Sequence, residues 1–177
     1  MPVDSGETVR IESLGREHDR QSFSCGVPEL DLYLWERAVQ DMKRNLATVF
    51  VLVDEGSTVI GYYTLSQQAI TTGELPEEMA RRLPRYTLIP ATLIGRFAID
   101  VRCQRQGLGR MLLGDALFRI WRAAQSVASY AVRADATNES ALDFYIRCGF
   151  IVLPGERLKL FLPMGTLDRH FTGIQRR

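Results

Sequence analysis

Apolar residues in this chain switch repeatedly between the two-residue rhythm of strands and the three-to-four-residue rhythm of helices. The run Thr8–Leu14 reads as a first or edge strand with Val9 and Ile11 on one face. From Phe23 to Asn45, Leu30, Leu34 and Ala38 recur four apart with Tyr33 and Arg37 alongside, which predicts a helix with one buried stripe. Pro28 suits its first turn, where no intrahelical donor is needed. Two β-rich runs follow, separated by Asp54, Glu55, Gly56 and Ser57, a hairpin signal. The first run is apolar throughout from Val49 to Val53, as a central strand covered on both faces would be.

Residues 71–92 interrupt this rhythm, with Pro76, Pro84 and Pro90 around a short helix near Glu77 to Leu83. They read as an excursion at the sheet rim. A strand resumes at ATLIGRFAIDV and runs into Gln104-Arg-Gln-Gly-Leu-Gly-Arg110. Beyond it, Leu108, Leu112, Ala116 and Ile120, flanked by Leu113, Leu117 and Trp121, predict a helix starting near Gly109 with a broad apolar face. SYAVR reads as a strand, and a helix starts near Asn138 or Ser140 and ends at Gly149, a left-handed cap. The last element is a hairpin turning at Pro154-Gly155, with Leu158, Leu160 and Leu162 facing the core. The order is β, α, ββ, excursion, β, α, β, α, ββ: an α/β chain, here one domain over residues 1–177.

Composition narrows the class. The chain has 177 residues, 46% of them hydrophobic, enough for one sizeable core. Cys25, Cys103 and Cys148 form no CxxC pair, which predicts a reduced, cytoplasmic protein. No run of eighteen apolar residues and no cationic leader with an apolar stretch is present, so no membrane association is expected. Formal charge is +1, but unevenly spread: residues 1–80 hold six Arg/Lys and fourteen Asp/Glu, whereas residues 81–133 hold ten Arg and two acids. That cationic middle fits solvated faces or an anionic partner: a phosphate-bearing cofactor, a nucleic acid or an acidic protein segment.

The strand–loop–helix junction at 101–110 is where chemistry is concentrated. Free N–H groups at the helix start, with Gly107 and Gly109 removing Cβ atoms, can cradle a pyrophosphate assisted by Arg102, Arg105 or Arg110. The same glycines also suit an ordinary turn. No Lys-Ser/Thr follows a GxxxxG loop, which sets aside the P-loop, and GLGRML at 107–112 lacks the third glycine of the dinucleotide fingerprint. His18 and His170 lack metal-ligand spacing, so neither a metal nor a His-based mechanism is expected.

Gln104, Gly107 and Gly109 resemble the acetyl-CoA signature of the GNAT superfamily, Gln/Arg-x-x-Gly-x-Gly/Ala, and ALDFYIRCGF at 141–150 is similar to its Ala-x-x-Phe-Tyr-x-x-x-Gly-Phe segment. FSCGVPELDLYLWERA and LIGRFAID further resemble the acetyltransferase toxins of bacterial toxin–antitoxin pairs, with Phe97 and Ile99 where those carry Leu and Val. The resemblance implies a GNAT fold, with a central mixed, mostly antiparallel sheet flanked by helices and a splay between strands 4 and 5. It places pantetheine beside Ile99, Asp100 and Val101, and pyrophosphate over Gln104, Arg105, Gln106, Gly107, Leu108, Gly109 and Arg110. A backbone N–H near Val101 would polarise the acetyl carbonyl. Tyr145, whose phenol carries a transferable proton, would be the general acid for the CoA sulfur.

Other roles stay open at this level. Asn138 would cap its helix or touch the cofactor arm, and Asp100 would act as a base or anchor the loop. No strong general base stands out. The implied acceptor is the α-amine of aminoacyl-tRNA, whose acetylation blocks translation; Arg81, Arg82 and Arg85, with Arg102, Arg119 and Arg122, would engage its phosphates. Arg96 would either pair with a carboxylate or point to the acceptor end. The resemblance also implies a ribbon-helix-helix antitoxin and a homodimer. Competing readings are a GNAT enzyme acting on a protein or small-molecule amine, and a non-catalytic interaction module.

Overall fold

A computed structural model describes residues 8–83 and 85–175. Pro84, one of the prolines bracketing the excursion, lies outside them. Seven strands, β1 (Arg10–Ser13), β2 (Thr48–Val53), β3 (Val59–Thr71), β4 (Leu88–Ile99), β5 (Ala131–Asp135), β6 (Ile151–Val152) and β7 (Lys159–Pro163), form one sheet in the order β1-β2-β3-β4-β5-β7-β6. β1–β2, β2–β3, β5–β7 and β6–β7 are antiparallel and β4–β5 is parallel. The parallel register runs from Ala91↔Ala131 to Ile94↔Ala134 and ends well before Ile99, which is the splay.

The chain forms two compact units, Met1–Ser66 with Gly95–Ala116 and Gln67–Ile94 with Leu117–Arg177, and β3 and β4 each run from one into the other. In the first, α1 (Pro28–Leu32) passes through a π-helical turn at Tyr33–Arg37 into α2 (Ala38–Lys43). The buried stripe is the expected one: Leu30, Tyr33, Leu34 and Ala38 pack with Val49, Val51, Val53 and Tyr62. The Tyr62 hydroxyl donates to Leu30 O at 2.7 Å, giving the buried phenol a partner.

In the second unit the excursion is built as a 3-10 turn (Thr72–Glu74) and α3 (Glu77–Arg81). Glu74 accepts the Thr71 N–H at 2.7 Å and its hydroxyl at 2.9 Å, closing a capping box. Leu75, with Met79, Ala80 and Leu83, packs on Ile70, Ala91, Ala131, Leu153 and Phe161. The excursion is therefore shorter than expected, because β4 starts at Leu88 rather than Ala91.

α4 (Leu108–Ala124) follows the glycine loop, and α5 (Glu139–Arg147) ends before Gly149, whose φ of +95° makes it the left-handed residue expected there. The chain closes not on the hairpin but on α6 (Met164–Gln175), a helix the sequence reading passed over. Its Phe171 ring lies 5.3 Å from both Phe118 and Trp121, and Asp168 accepts the Trp121 indole N–H at 2.9 Å. No helix among the described residues is long and apolar enough to cross a membrane.

Candidate active site

The glycine loop is held from beneath by a segment some eighty residues earlier. Asp100, fully buried at the end of β4, accepts the Ser24 N–H at 3.1 Å, the Arg102 N–H at 2.9 Å, and the Arg102 guanidinium at 2.8 and 2.9 Å. Burial pushes the Asp100 carboxyl up, yet the Arg102 side chain and the two backbone donors outweigh it and hold the group below its ordinary range. Asp100 is therefore an ionised anchor, not a base poised near neutrality. Gln104 donates to Ile99 O at 2.9 Å and to Cys25 O at 3.1 Å, so its side chain also points back into the scaffold.

These bonds correct one expectation. The Val101 N–H donates to Ser24 O at 2.8 Å and the Asp100 N–H to Ile60 O at 2.9 Å, so neither is left to polarise an acetyl carbonyl. Val101 nonetheless presents its side chain outward, 51% exposed.

Past this anchor the loop is open. Arg105 (φ 62°) and Gly107 (φ 80°) are both left-handed, and a Cβ added at Gly107 would meet nothing within 4 Å. Met111 N–H reaches back to Gly107 O at 3.3 Å, which leaves the N–H groups of Leu108, Gly109 and Arg110 in the first turn of α4 without intrahelical acceptors. Arg102 is neutralised by Asp100, whereas Arg105 and Arg110 are exposed and make no ion pair among the described residues. Gln106 is tied to Arg102 O at 3.3 Å. Two uncommitted cations beside a helix start and an unobstructed glycine have the geometry to cradle an anion.

Tyr145 belongs to the other unit. Buried to 3% on α5, it packs 5.6 Å from the Phe144 ring and 5.1 Å from the Phe150 ring. Burial first, then the charges of Asp135 and Cys148, push its phenol above the ordinary tyrosine value, so it keeps its proton at every physiological pH. Asn138 is the N-cap of α5, accepting the Ala141 N–H at 2.9 Å; of its two open roles, capping is the one its side-chain oxygen performs.

The arginines divide by environment. Arg81, Arg82 and Arg85 are all exposed, but Arg81 is paired with Glu77 one turn back, while Arg82 and Arg85 have no ion-pair partner among the described residues. The Arg96 guanidinium lies 3.5 Å from the centroid of the Tyr33 ring. Arg122 lies over Phe118 on its own helix, 5.9 Å from the ring centroid. His18 is buried, with Nδ1 accepting the Gly15 N–H at 2.8 Å and Nε2 2.9 Å from Glu12. Among the described residues no three His, Cys, Asp or Glu are grouped to hold a metal ion.

Residues 45–152, more than half of the chain and including loop, α4 and α5, match the family model described as acetyltransferase (GNAT) domain. The chain belongs to the GNAT acetyltransferases. A relative from Mycobacterium tuberculosis, a tRNA-acetylating toxin, is 34% identical over 146 residues, covering 82% of this GNAT chain and 86% of that protein. The structure of AtaT complexed with acetyl-methionyl-tRNAfMet is 32% identical, covers 93% of this chain and 99% of its own, and superposes with a TM-score of 0.86. A Tyr-to-Phe variant of AtaT bound to acetyl-CoA and to the C-terminus of the antitoxin AtaR is 28% identical, with coverage of 93% and 98% and a TM-score of 0.79.

As a GNAT enzyme this is an acetyl-CoA-dependent N-acetyltransferase, and its open, cationic helix start suits the diphosphate of that cosubstrate. Sequence reasoning missed what carries the loop. Asp31, buried at 6%, accepts the Cys25 N–H at 2.8 Å and the Ser24 hydroxyl at 3.3 Å, and the Trp35 indole donates to Phe23 O at 3.1 Å. Gly26, at φ 88°, completes that turn. The Phe-x-Cys-Gly stretch thus positions the glycine loop; its Asp six residues after Cys25 was the available signal.

Proposed function

We propose that this enzyme acetylates the α-amine of aminoacyl-tRNA and so stops translation, acting as the toxin of a toxin–antitoxin pair. The observation that carries this reading is the likeness, over most of the chain, to a tRNA-acetylating toxin and to AtaT complexed with acetyl-methionyl-tRNAfMet. Binding of AtaT to AtaR supports a cognate antitoxin, here of the ribbon-helix-helix type, as partner. The active form is a cytoplasmic homodimer, each chain acting as one acetyltransferase domain.

Acetyl-CoA supplies the activated acetyl group. Gly107 to Arg110, with Arg105, bind its diphosphate through main-chain N–H groups and two free guanidiniums. Its pantetheine arm follows β4 to Val101, and an N–H of β4 upstream of Asp100 polarises the carbonyl. Tyr145 holds, in apolar surroundings, the proton that the departing sulfur takes. Arg82 and Arg85, with Arg81 partly offset by Glu77, contact RNA phosphates. An α-amine next to an ester carbonyl is less basic than a lysine amine, so an unprotonated fraction is present at neutral pH and a strong base is not required.

Incubation with acetyl-CoA and a mixed pool of charged tRNAs, followed by mass analysis of the released amino acids, tests the reading. N-acetylation of one or a few amino acids is expected; acetylation of none, with acetylation of a protein or small amine instead, overturns it.

A further inference from the structure

Arg133, in the middle of β5, is 5% exposed, and its Nε has no hydrogen-bond partner. Its nearest charges are Glu74 at 3.7 Å and Asp135 at 3.6 Å, both beyond hydrogen-bond reach. Arg133 Nε and Asp135 Oδ1 are both buried, and both are without a partner. A buried donor facing a buried acceptor across a gap costs stability unless a third group completes it. The Asp135 side chain as a whole is 42% exposed, while its Oδ1 and Arg133 Nε lie beneath the surface.

Chemistry restricts what fits. Two carboxylates against one guanidinium leave the trio at net minus one, which disfavours a free anion. Arg133 repels a polyamine or lysine ammonium that would otherwise enter for the carboxylates. What matches is a neutral or weakly basic amine whose neighbouring carbon bears a carbonyl: the amine donates to Asp135 and the carbonyl accepts from Arg133 Nε. An aminoacyl ester has that arrangement. The Asp135 charge also adds to burial in raising the phenol of Tyr145, the residue assigned as the acid.

We propose that Asp135 and Arg133 form the subsite for the aminoacyl end of the acceptor, Asp135 holding the α-amine and Arg133 the ester carbonyl. This rests on the aminoacyl-tRNA reading above and adds the residues that recognise the reacting group. With one N–H held by Asp135, the nitrogen lone pair is left to attack the acetyl carbon. The C–N bond forms as the C–S bond breaks, sulfur takes its proton from Tyr145, and the surplus ammonium proton passes to Asp135 and by way of solvent restores the Tyr145 phenol.

Binding of charged tRNA in the presence of unacetylated CoA tests the subsite. The wild-type enzyme binds aminoacyl-tRNA about ten-fold tighter than tRNA bearing the same acyl group with hydrogen in place of the amine, as a hydrogen bond to a charged group implies. Asp135→Asn loses that preference, while its affinity for acetyl-CoA and for deacylated tRNA is unchanged. Equal wild-type affinity for the two acyl-tRNAs overturns the subsite without any variant having to fold. So does an Asp135→Asn enzyme that keeps the preference. A wild-type enzyme that acetylates no charged tRNA removes the parent reading and this subsite together, whereas acetylation without amine preference removes the subsite alone.

Discussion

Ser24 and Asp100, seventy-six positions apart, are joined by a backbone N–H donating to a buried carboxylate at 3.1 Å, and Ser24 O accepts the N–H of the next residue, Val101, at 2.8 Å. The end of β4 is thus fixed by an early turn rather than by the glycine loop itself. Because Asp100 holds Ser24 and Arg102 together, loss of its charge is felt by both.

Asp100→Asn is expected to lower stability by about 1–3 kcal/mol, less than a fully buried pair because Arg102 is half exposed. The Asp100 pKa is lowered in the folded protein, so its contribution is fully present above the ordinary carboxylate value and is lost as pH falls through the folded one. Urea unfolding should show a constant gap between wild type and variant from pH 5 to 7 that closes below about pH 4. A gap unchanged at pH 3 contradicts the anchor.

Gly61→Ala and Gly107→Ala separate packing from ligand approach. A Cβ at Gly61 would lie 2.8 Å from Ile99 Cδ1 and 3.3 Å from Ala98 O, so that variant loses about 1–3 kcal/mol of stability. At Gly107 the space is empty but φ is +80°, so stability falls by only about 1 kcal/mol while acetyl-CoA affinity falls more than ten-fold. Thermal unfolding and calorimetry on both variants check the contrast; normal acetyl-CoA affinity in Gly107→Ala removes the cradle.

Tyr145→Phe keeps the Phe144 and Phe150 ring contacts, so folding and acetyl-CoA affinity should be preserved. Its kcat is expected to fall by about two orders of magnitude, the usual worth of a positioned acid. Undiminished steady-state transfer would take Tyr145 out of that role.

Replacing Arg81, Arg82 and Arg85 together by Ala should weaken tRNA binding and leave acetyl-CoA binding alone. Since Glu77 already compensates Arg81, the salt dependence of log K should shallow by the equivalent of about two phosphate contacts rather than three. An unchanged slope places the RNA elsewhere.

Much of this architecture was legible in the sequence because periodicity and burial agreed. Leu30, Leu34 and Ala38 marked the buried stripe of α1–α2, and Asp54–Ser57 marked the β2–β3 turn. The α6 helix was passed over although Met164, Leu167, Phe171 and Ile174 carry helical spacing; Gly165 and Gly173 lower the helix propensity of that stretch. Tyr145 and the glycine loop were visible as motifs, whereas the bonds that set the site were not. Spacing does not reveal that the Val101 amide turns to Ser24, or that Arg96 covers Tyr33, since both depend on pairing between residues far apart in the chain.

The most direct test of acetyl transfer to an aminoacyl ester uses acetyl-labelled acetyl-CoA, one charged tRNA and mild alkali. Label should enter only the charged tRNA and be freed by alkali as the N-acetyl amino acid. Label remaining on the polynucleotide after the ester is cleaved, or equal labelling of deacylated tRNA, would contradict the account.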